Sequence, residues 1–331
     1  AVSTLNLSKI KNFIIACIEE KEVKTKLTSK PYRIIIDPTN ACNLGCPLCP
    51  TGLGQSQRTK GILKFDDFKK IINEAEDYCI ELHLYNWGEP TLNKNLVEML
   101  KYAKSKNIWT RISSNLSLKY KGDYVEKLIK SGLSLLHVDI DGIDQDVYSK
   151  YRKKGDLNIV IDNLKKIKEI KKQNNLKEPI IELAMLAMKQ NEHQHKDFFN
   201  FAEQLNADEI KIDKIQHNPN MDEDWLPANK ELIYKTYEGG KANSNSSNEE
   251  EIKQCHWPWS GIVINWDGGT NPCCIIDDPK SDFGNAIKNS IEQIWNNAEY
   301  ISSRSELGDK KEICRDTICS VCKNQTHAKR L

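Results

Sequence analysis

The sequence predicts an α/β fold in which a partial (β/α)6, TIM-like barrel precedes a small cysteine-rich C-terminal domain. From Arg33 to about Asp213, short β-branched runs alternate with amphipathic helical patterns. This alternation is typical of a parallel sheet flanked by helices. Because six such units are too few to close an eight-unit barrel, we expect an open one with its site at the carboxyl ends of the strands.

The predicted elements follow in order along the chain. The strands are expected at residues 33–36, 81–85, 109–113, 135–140, 180–184 and 209–212. The helices between them are expected at residues 65–77, 96–106, 123–130, 157–173 and 195–205, where apolar residues recur three and four apart.

The composition divides the chain into four expected regions. Residues 239–250 are polar and turn-rich and predict a linker. We therefore expect an N-terminal helical extension at 1–30, the barrel at 31–238, this linker, and the C-terminal domain at 251–331. Within that domain the turn residues Asp267, Gly268 and Gly269 predict a β-hairpin spanning 262–274, with a helix near 290–295.

Charge and hydropathy exclude some classes of partner. Lys+Arg 48 against Asp+Glu 47 leaves a formal charge of +1, and no long stretch is strongly basic, so we expect no nucleic-acid partner. No segment approaches ~20 apolar residues, and the N-terminus carries no cleavage site. The sequence therefore predicts a cytoplasmic protein without a membrane partner.

Eleven cysteines in a chain without a secretion signal indicate metal or redox chemistry. Cys17 and Cys79 stand alone and are interpreted as core or helix-face residues. The others form two groups. The first is Cys42, Cys46 and Cys49, and the second is Cys255, Cys273, Cys274, Cys314, Cys319 and Cys322.

The first group offers three thiolates on one short loop. A four-iron cubane needs four ligands, so one iron would stay open to an exogenous ligand. The alternative is a structural zinc site, but such sites want four protein ligands and no histidine lies within this loop. The spacing therefore favours an iron-sulfur cluster on Cys42, Cys46 and Cys49.

This Cys-x-x-x-Cys-x-x-Cys loop after a first strand resembles the hallmark of the radical S-adenosylmethionine superfamily. Gly88-Glu89-Pro90 resembles the family's glycine-glutamate motif, which holds the amino group of the methionine moiety. Ser113-Ser114-Asn115 resembles its Thr-Asn-Gly type segment, with Leu116 in place of the usual glycine. Asp139-Ile140-Asp141-Gly142 resembles its Ser-Ile-Asp-Gly element. The resemblance implies that S-adenosylmethionine is bound by Gly88, Glu89, Ser113, Asn115 and Asp139.

Arg152 lies where relatives carry an arginine that faces the active site. Such a guanidinium binds a carboxylate bidentately or acts on the substrate, and the resemblance implies a catalytic role. The alternative is a solvated basic face shared with Lys153 and Lys154.

The second group resembles the SPASM/Twitch auxiliary-cluster domain, closest in spacing to the single-cluster Twitch version. The resemblance implies a second [4Fe-4S] cluster on Cys255, Cys273, Cys319 and Cys322. A zinc ribbon on the same four thiolates is the alternative. Cys274 and Cys314 are left over, and Cys274 is open to three interpretations: a buried residue, an alternative ligand, or a catalytic thiol that donates hydrogen to a substrate radical.

The resemblance implies reductive cleavage of S-adenosylmethionine to a 5′-deoxyadenosyl radical, fed by a flavodoxin- or ferredoxin-type reductant. Because only ~30 residues precede the first strand, we expect no separate peptide-recognition domain and favour a small polar substrate: a sugar, aminocyclitol or amino acid derivative. Dehydrogenation with the auxiliary cluster as electron acceptor is the leading expectation. Epimerisation with a cysteine donor and peptide modification are alternatives, and a non-catalytic iron-sulfur electron carrier or zinc-binding module is the alternative class.

Overall fold

The computed structural model describes residues 4–216, 222–234, 255–310, 312, 315–320 and 322. The predicted linker and Cys314 lie outside these residues. The strands are β1 (Arg33–Ile36), β2 (Glu81–His83), β3 (Trp109–Ser114), β4 (Leu135–Asp139), β5 (Ile180–Leu186), β6 (Glu209–Asp213), β7 (Ile215–Gln216), β8 (Ile233–Tyr234), β9 (Gly261–Ile264), β10 (Gly269–Asn271) and β11 (Gly284–Asn285).

The α-helices alternate with these strands. They are α1 (Leu7–Lys21), α2 (Pro50–Leu53), α3 (Phe65–Ala75), α4 (Leu96–Ser105), α5 (Tyr124–Ile129), α6 (Gln145–Tyr151), α7 (Leu157–Gln173), α8 (His195–Gln204), α9 (Trp257–Ser260), α10 (Ile291–Trp295) and α11 (Ala298–Leu307). Within the described residues, no helix is both long enough and apolar enough to cross a membrane.

One sheet of nine strands organises the molecule, in the order β11-β10-β9-β1-β2-β3-β4-β5-β6. Strands β1 to β6 pair in parallel with their chain neighbours. The predicted α/β class is thus confirmed, and each of the six predicted strands is present. All six end at the same edge, which therefore receives the loops that carry the cysteine and glycine-glutamate motifs.

The C-terminal hairpin is confirmed, but its place in the sheet is not apparent from the sequence. Strands β9 and β10 pair antiparallel, and β9 also pairs in parallel with β1, so that Ile34 lies opposite Ile262. The auxiliary region thus continues the barrel sheet. Pairing between two strands so distant along the chain leaves no local pattern, because periodicity shows that a strand exists and not which strand it joins.

The two faces of the sheet differ in chemistry. Ile34, Leu82 and Ile112 are fully buried among apolar residues of the flanking helices. Alternate positions on neighbouring strands, among them Arg111 and His137, carry charged groups instead. Because side chains of a strand alternate between faces, the inner face of the partial barrel is polar.

Candidate active site

The first cysteine loop begins directly after β1. The Gly45 amide donates to the Lys153 carbonyl at 3.0 Å, which joins the loop to the segment after α6. The Leu44 amide lies 3.4 Å from Cys42 Sγ. Cys49 is the N-cap of α2, whose first residue is proline, so the loop ends where a helix begins.

The three thiols are free and suited to binding iron. None forms a disulfide. Burial raises the pKa of Cys42, and it raises the pKa of Cys46 to about 11, so both thiols need a metal to hold them as thiolates. No three described His, Cys, Asp or Glu side chains converge as ligands of a single metal ion. A four-iron cubane is compatible with thiols that lie farther apart than the ligands of a single ion, because each thiolate binds a different iron.

Glu89 is the buried carboxylate of the site, with 2% of its surface exposed. Its Oε1 accepts from Thr91 Oγ1 at 2.7 Å and Ser114 Oγ at 2.8 Å. Its Oε2 accepts from the Asn115 amide at 2.9 Å. Burial raises the pKa of Glu89, and these donors partly oppose that effect. The carboxylate is therefore fixed in orientation, as a group that binds an ammonium requires.

Gly88 packs directly on the cysteine loop. A Cβ at this position would lie 1.8 Å from the Thr39 carbonyl oxygen and 2.8 Å from that of Ala41, so only glycine fits. The next amide, that of Glu89, donates to the Ala41 carbonyl at 2.8 Å. The glycine-glutamate motif and the cysteine loop thus form one unit.

Asn115 joins the third strand to the same unit. Its Nδ2 donates to Asn43 Oδ1 at 3.0 Å and lies 3.9 Å from Cys42 Sγ. The following residue, Leu116, has φ +48°, in the left-handed region that favours glycine. The backbone at this position therefore has a conformation that suits glycine, although the residue is leucine.

Arg152 lies inside the site, between two carboxylates. Its Nε donates to Asp141 Oδ2 at 2.5 Å, and its Nη2 lies 3.5 Å from Asp139 Oδ1. Burial would lower the pKa of Arg152, but the carboxylates outweigh it and raise that pKa. Ser113 Oγ also donates to Asp139, at 3.1 Å. The geometry thus disfavours the solvated basic face, while a catalytic role for Arg152 stays a prediction.

Sequence reasoning missed an ionic cluster that adjoins Asp139. His137 Nε2 lies 3.1 Å from Asp139 Oδ1, and His137 Nδ1 contacts Glu182. Arg111 Nη2 donates to Glu182 Oε1 at 2.7 Å. The available signal was an ionisable residue in the interior of each of three successive strands, namely Arg111, His137 and Glu182.

We expect His137 to make stability depend on pH. Burial would lower its pKa, but Asp139 and Glu182 outweigh it and raise the pKa from 6.5 to about 9. The folded state thus binds this proton more tightly than the unfolded state. A contribution of about 3 kcal/mol should be complete below pH 6.5 and lost as the pH rises through 9. Urea unfolding across this range measures it.

The matched control for this prediction is a second histidine. His137→Gln should flatten the dependence of the unfolding free energy on pH, whereas His193→Gln, at an exposed position, should leave it unchanged. An unaltered pH profile in His137→Gln would contradict the assignment.

The four auxiliary cysteines come together in the C-terminal region. Cys273 lies close enough to Cys255 and Cys319 for their charges to raise its pKa, after burial itself. Burial raises the pKa of Cys319 to about 12, with Cys255 and Cys322 adding to it. Four thiols in one region, none in a disulfide, are the number that a cluster with a complete protein ligand set needs, and their role as its ligands stays a prediction.

Cys274 lies at the junction with the barrel. With its amide oriented to donate, Asn86 lies 3.2 Å from the Cys274 carbonyl oxygen. Trp87 Nε1 donates to the Ile276 carbonyl at 3.3 Å. Burial raises the pKa of Tyr85 to about 12, and Cys274 is among the groups that raise it further. The thiol thus adjoins the carboxyl end of β2, and its hydrogen-donor role stays a prediction.

Comparison with known proteins agrees with both halves of this description. Residues 36–202 match the Radical SAM superfamily, and residues 255–323 match the SPASM iron-sulfur cluster-binding domain. The PqqA peptide cyclase of Bradyrhizobium diazoefficiens is 24% identical over 328 residues, covering 90% of this chain and 81% of that protein.

Two solved structures show the same fold. Streptococcus suis SuiB bound to S-adenosylmethionine aligns with TM-score 0.67 at 16% identity, over 89% of this chain and 72% of that chain. BtrN in complex with AdoMet and 2-DOIA aligns with TM-score 0.51 at 17% identity, over 84% of this chain and 87% of that chain.

The family match settles the cofactors. It covers half of the chain and includes the cysteine loop, the glycine-glutamate motif and the strands that bring them together. S-Adenosylmethionine and a [4Fe-4S] cluster are therefore confirmed, as is auxiliary iron-sulfur binding by the C-terminal domain, and the zinc alternatives are set aside. The chain belongs to the radical S-adenosylmethionine superfamily and carries a SPASM domain.

Proposed function

We propose that this enzyme modifies a peptide by abstracting hydrogen from one of its C-H bonds. The observation that carries the proposal is the match with PqqA peptide cyclase, which extends over 90% of this chain and so includes both cluster-binding regions. SuiB, which has also been crystallised with the precursor peptide SuiA, aligns with TM-score 0.63 in that complex. We therefore prefer a peptide as the substrate to the small polar molecule expected from the sequence.

The proposed roles follow from the site geometry. Cys42, Cys46 and Cys49 would hold the first cluster with one iron open. Glu89, fixed by its three neighbours, would bind the methionine ammonium, and Asn115 would orient the adjoining part of the cofactor. When bound, the first cluster and S-adenosylmethionine supply a hydrogen-abstracting 5′-deoxyadenosyl radical, and the auxiliary cluster supplies a one-electron acceptor.

The position of the auxiliary region supports a substrate site at the same edge. The segment that follows Cys273 contacts the end of β2 through Asn86 and Trp87, immediately before the glycine-glutamate motif. A substrate at this edge would therefore lie between the cofactor residues and the auxiliary cysteines. Arg152 and Asp139 would form the wall beside it, with their charges mutually neutralised. A flavodoxin- or ferredoxin-type protein remains the proposed electron donor.

A second candidate is dehydrogenation of a small polar molecule. The likeness to BtrN favours it. That structure contains AdoMet together with 2-DOIA, and the alignment covers 87% of its chain. The two candidates share every cofactor and differ in the size of the substrate. The match with PqqA peptide cyclase covers 90% of this chain and that with BtrN 84%, and SuiB has the higher TM-score, 0.67 against 0.51. These comparisons favour a peptide as the substrate.

A substrate fractionation assay separates the two. Anaerobically reconstituted enzyme, S-adenosylmethionine and dithionite would be incubated with a cell extract, with and without prior protease treatment, and 5′-deoxyadenosine would be measured. We expect an extract-dependent increase that protease abolishes, together with a mass change in a peptide. An increase that survives protease would instead support the small-molecule candidate. Absence of 5′-deoxyadenosine under all conditions would contradict both.

A further inference from the structure

Arg58 is a buried arginine at the junction of the barrel and the C-terminal hairpin. Only 2% of its side chain is exposed. Its Nη1 lies 2.6 Å from Asp267 Oδ2, and its Nη2 lies 2.6 Å from Asp282 Oδ1. Both carboxylates belong to the auxiliary region, whereas Arg58 follows the first cysteine loop. The guanidinium therefore holds the two regions together with one planar group.

Residues 57–61, which include Arg58 and are here called the strap, pack against the C-terminal hairpin. The Gln57 amide donates to Asp277 Oδ2 at 2.8 Å. Trp266 Nε1 donates to the Thr59 carbonyl at 2.9 Å. A Cβ at Gly61 would lie 2.3 Å from the Trp266 ring, so the ring packs directly against the backbone. The strap thus contacts the auxiliary region along its length.

The strap also forms hydrogen bonds with the start of the cysteine loop. Asn40, which is 1% exposed, donates through Nδ2 to the Thr59 carbonyl at 2.9 Å and accepts from the Gly61 amide at 2.9 Å. Thr39 Oγ1 donates to the Gly61 carbonyl at 2.7 Å. Asn40 precedes Cys42 by two residues, so the strap fixes the backbone that leads into the cluster ligands.

Thr39 extends this path to the cofactor motif, because its carbonyl oxygen is the atom against which Gly88 packs. Hydrogen bonds and ion pairs thus connect the hairpin to Gly88 and to Asn40, two residues before Cys42. We propose that Arg58 is a positioning residue: it seats the strap on the auxiliary hairpin and thereby sets the geometry of the S-adenosylmethionine site. The inference concerns cofactor binding and is independent of whether the substrate is a peptide.

The test uses the full chain with both clusters reconstituted. We expect Arg58→Gln to weaken S-adenosylmethionine binding about ten-fold by calorimetry, because small displacements of a preorganised site are costly. Hydrogen exchange at residues 39–49 should become faster, while iron content stays at the wild-type level. Arg58→Lys keeps the charge but cannot bridge two carboxylates in fork geometry, so its effect should be intermediate.

The matched control is Arg33→Gln, which removes another arginine-carboxylate pair, to Glu81 at 2.8 Å, at the opposite end of β1. It should leave cofactor affinity and exchange at 39–49 unchanged. Wild-type affinity and exchange in Arg58→Gln would overturn the proposal. If that variant fails to fold, Asp267→Asn and Asp282→Asn each retain one partner, and wild-type affinity and exchange in both would equally overturn it.

Discussion

Replacing Cys42, Cys46 and Cys49 together with alanine is expected to abolish 5′-deoxyadenosine formation. We propose these three thiolates as the protein ligands of the cluster whose open iron accepts S-adenosylmethionine, so their loss should leave the cofactor without its binding iron. The auxiliary cysteines lie in another region and should keep about four irons per chain. Iron and sulfide analysis, paramagnetic resonance with and without S-adenosylmethionine, and a dithionite-driven assay measure the three consequences.

Cys17→Ala is the control for this variant, because Cys17 is exposed on α1 and lies outside both cysteine groups. It should retain about eight irons per chain, a resonance spectrum perturbed by S-adenosylmethionine, and full nucleoside release. Residual cleavage by the triple variant would refute the assignment of the first cluster. Loss of all iron from the triple variant would instead show that the auxiliary site depends on the first.

Arg152→Met should cause the largest loss of stability. It removes the cation that pairs with Asp141 at 2.5 Å and Asp139 at 3.5 Å, and the Asp141 side chain is fully buried while that of Asp139 is partly buried. Removing one partner of a buried ion pair costs about 3 to 5 kcal/mol, because the remaining charge is left uncompensated. The free energy of unfolding in urea, measured at neutral pH, gives the size of the effect.

Part of that loss should be recovered by lowering the pH. Burial raises the pKa of Asp141, and Arg152 is the main group that opposes this, so its removal should let the carboxyl protonate more readily. Lys150→Met removes an exposed cation from α6, the helix that ends just before Arg152, and should change stability by less than about 0.5 kcal/mol. Equal stabilities for the two variants would show that the buried pairs are not the source of the effect.

The sequence was sufficient for those parts of the fold that have a local pattern. Strand β1 and helix α7 have the predicted bounds, because β1 is a short run of β-branched residues and α7 combines a clear helical periodicity with capping residues. Asp156 illustrates this: it precedes α7 and accepts a hydrogen bond from the Asn158 amide as its N-cap. The site motifs were found for the same reason, since their spacing is short.

What the sequence could not give are relations between distant segments. Arg58 is separated from Asp267 and Asp282 by most of the barrel, and nothing near any of the three marks it as part of one ionic group. The cluster of His137 with Asp139 and Glu182 depends on strand order, because residues from β4 and β5 meet only when those strands are neighbours. Sequence reasoning therefore found the motifs that the fold brings together at the candidate site and missed the charged groups around them.

The pairing of β9 with β1 has a consequence for how the protein is made. One edge of β1 stays unpaired until synthesis has passed residue 264, because its partner on that side is β9. Contacts between such distant segments form slowly, and open strand edges promote aggregation meanwhile. Since β1 leads into the loop that carries Cys42, we expect stable cluster insertion to follow synthesis of β9 rather than to accompany translation of the barrel.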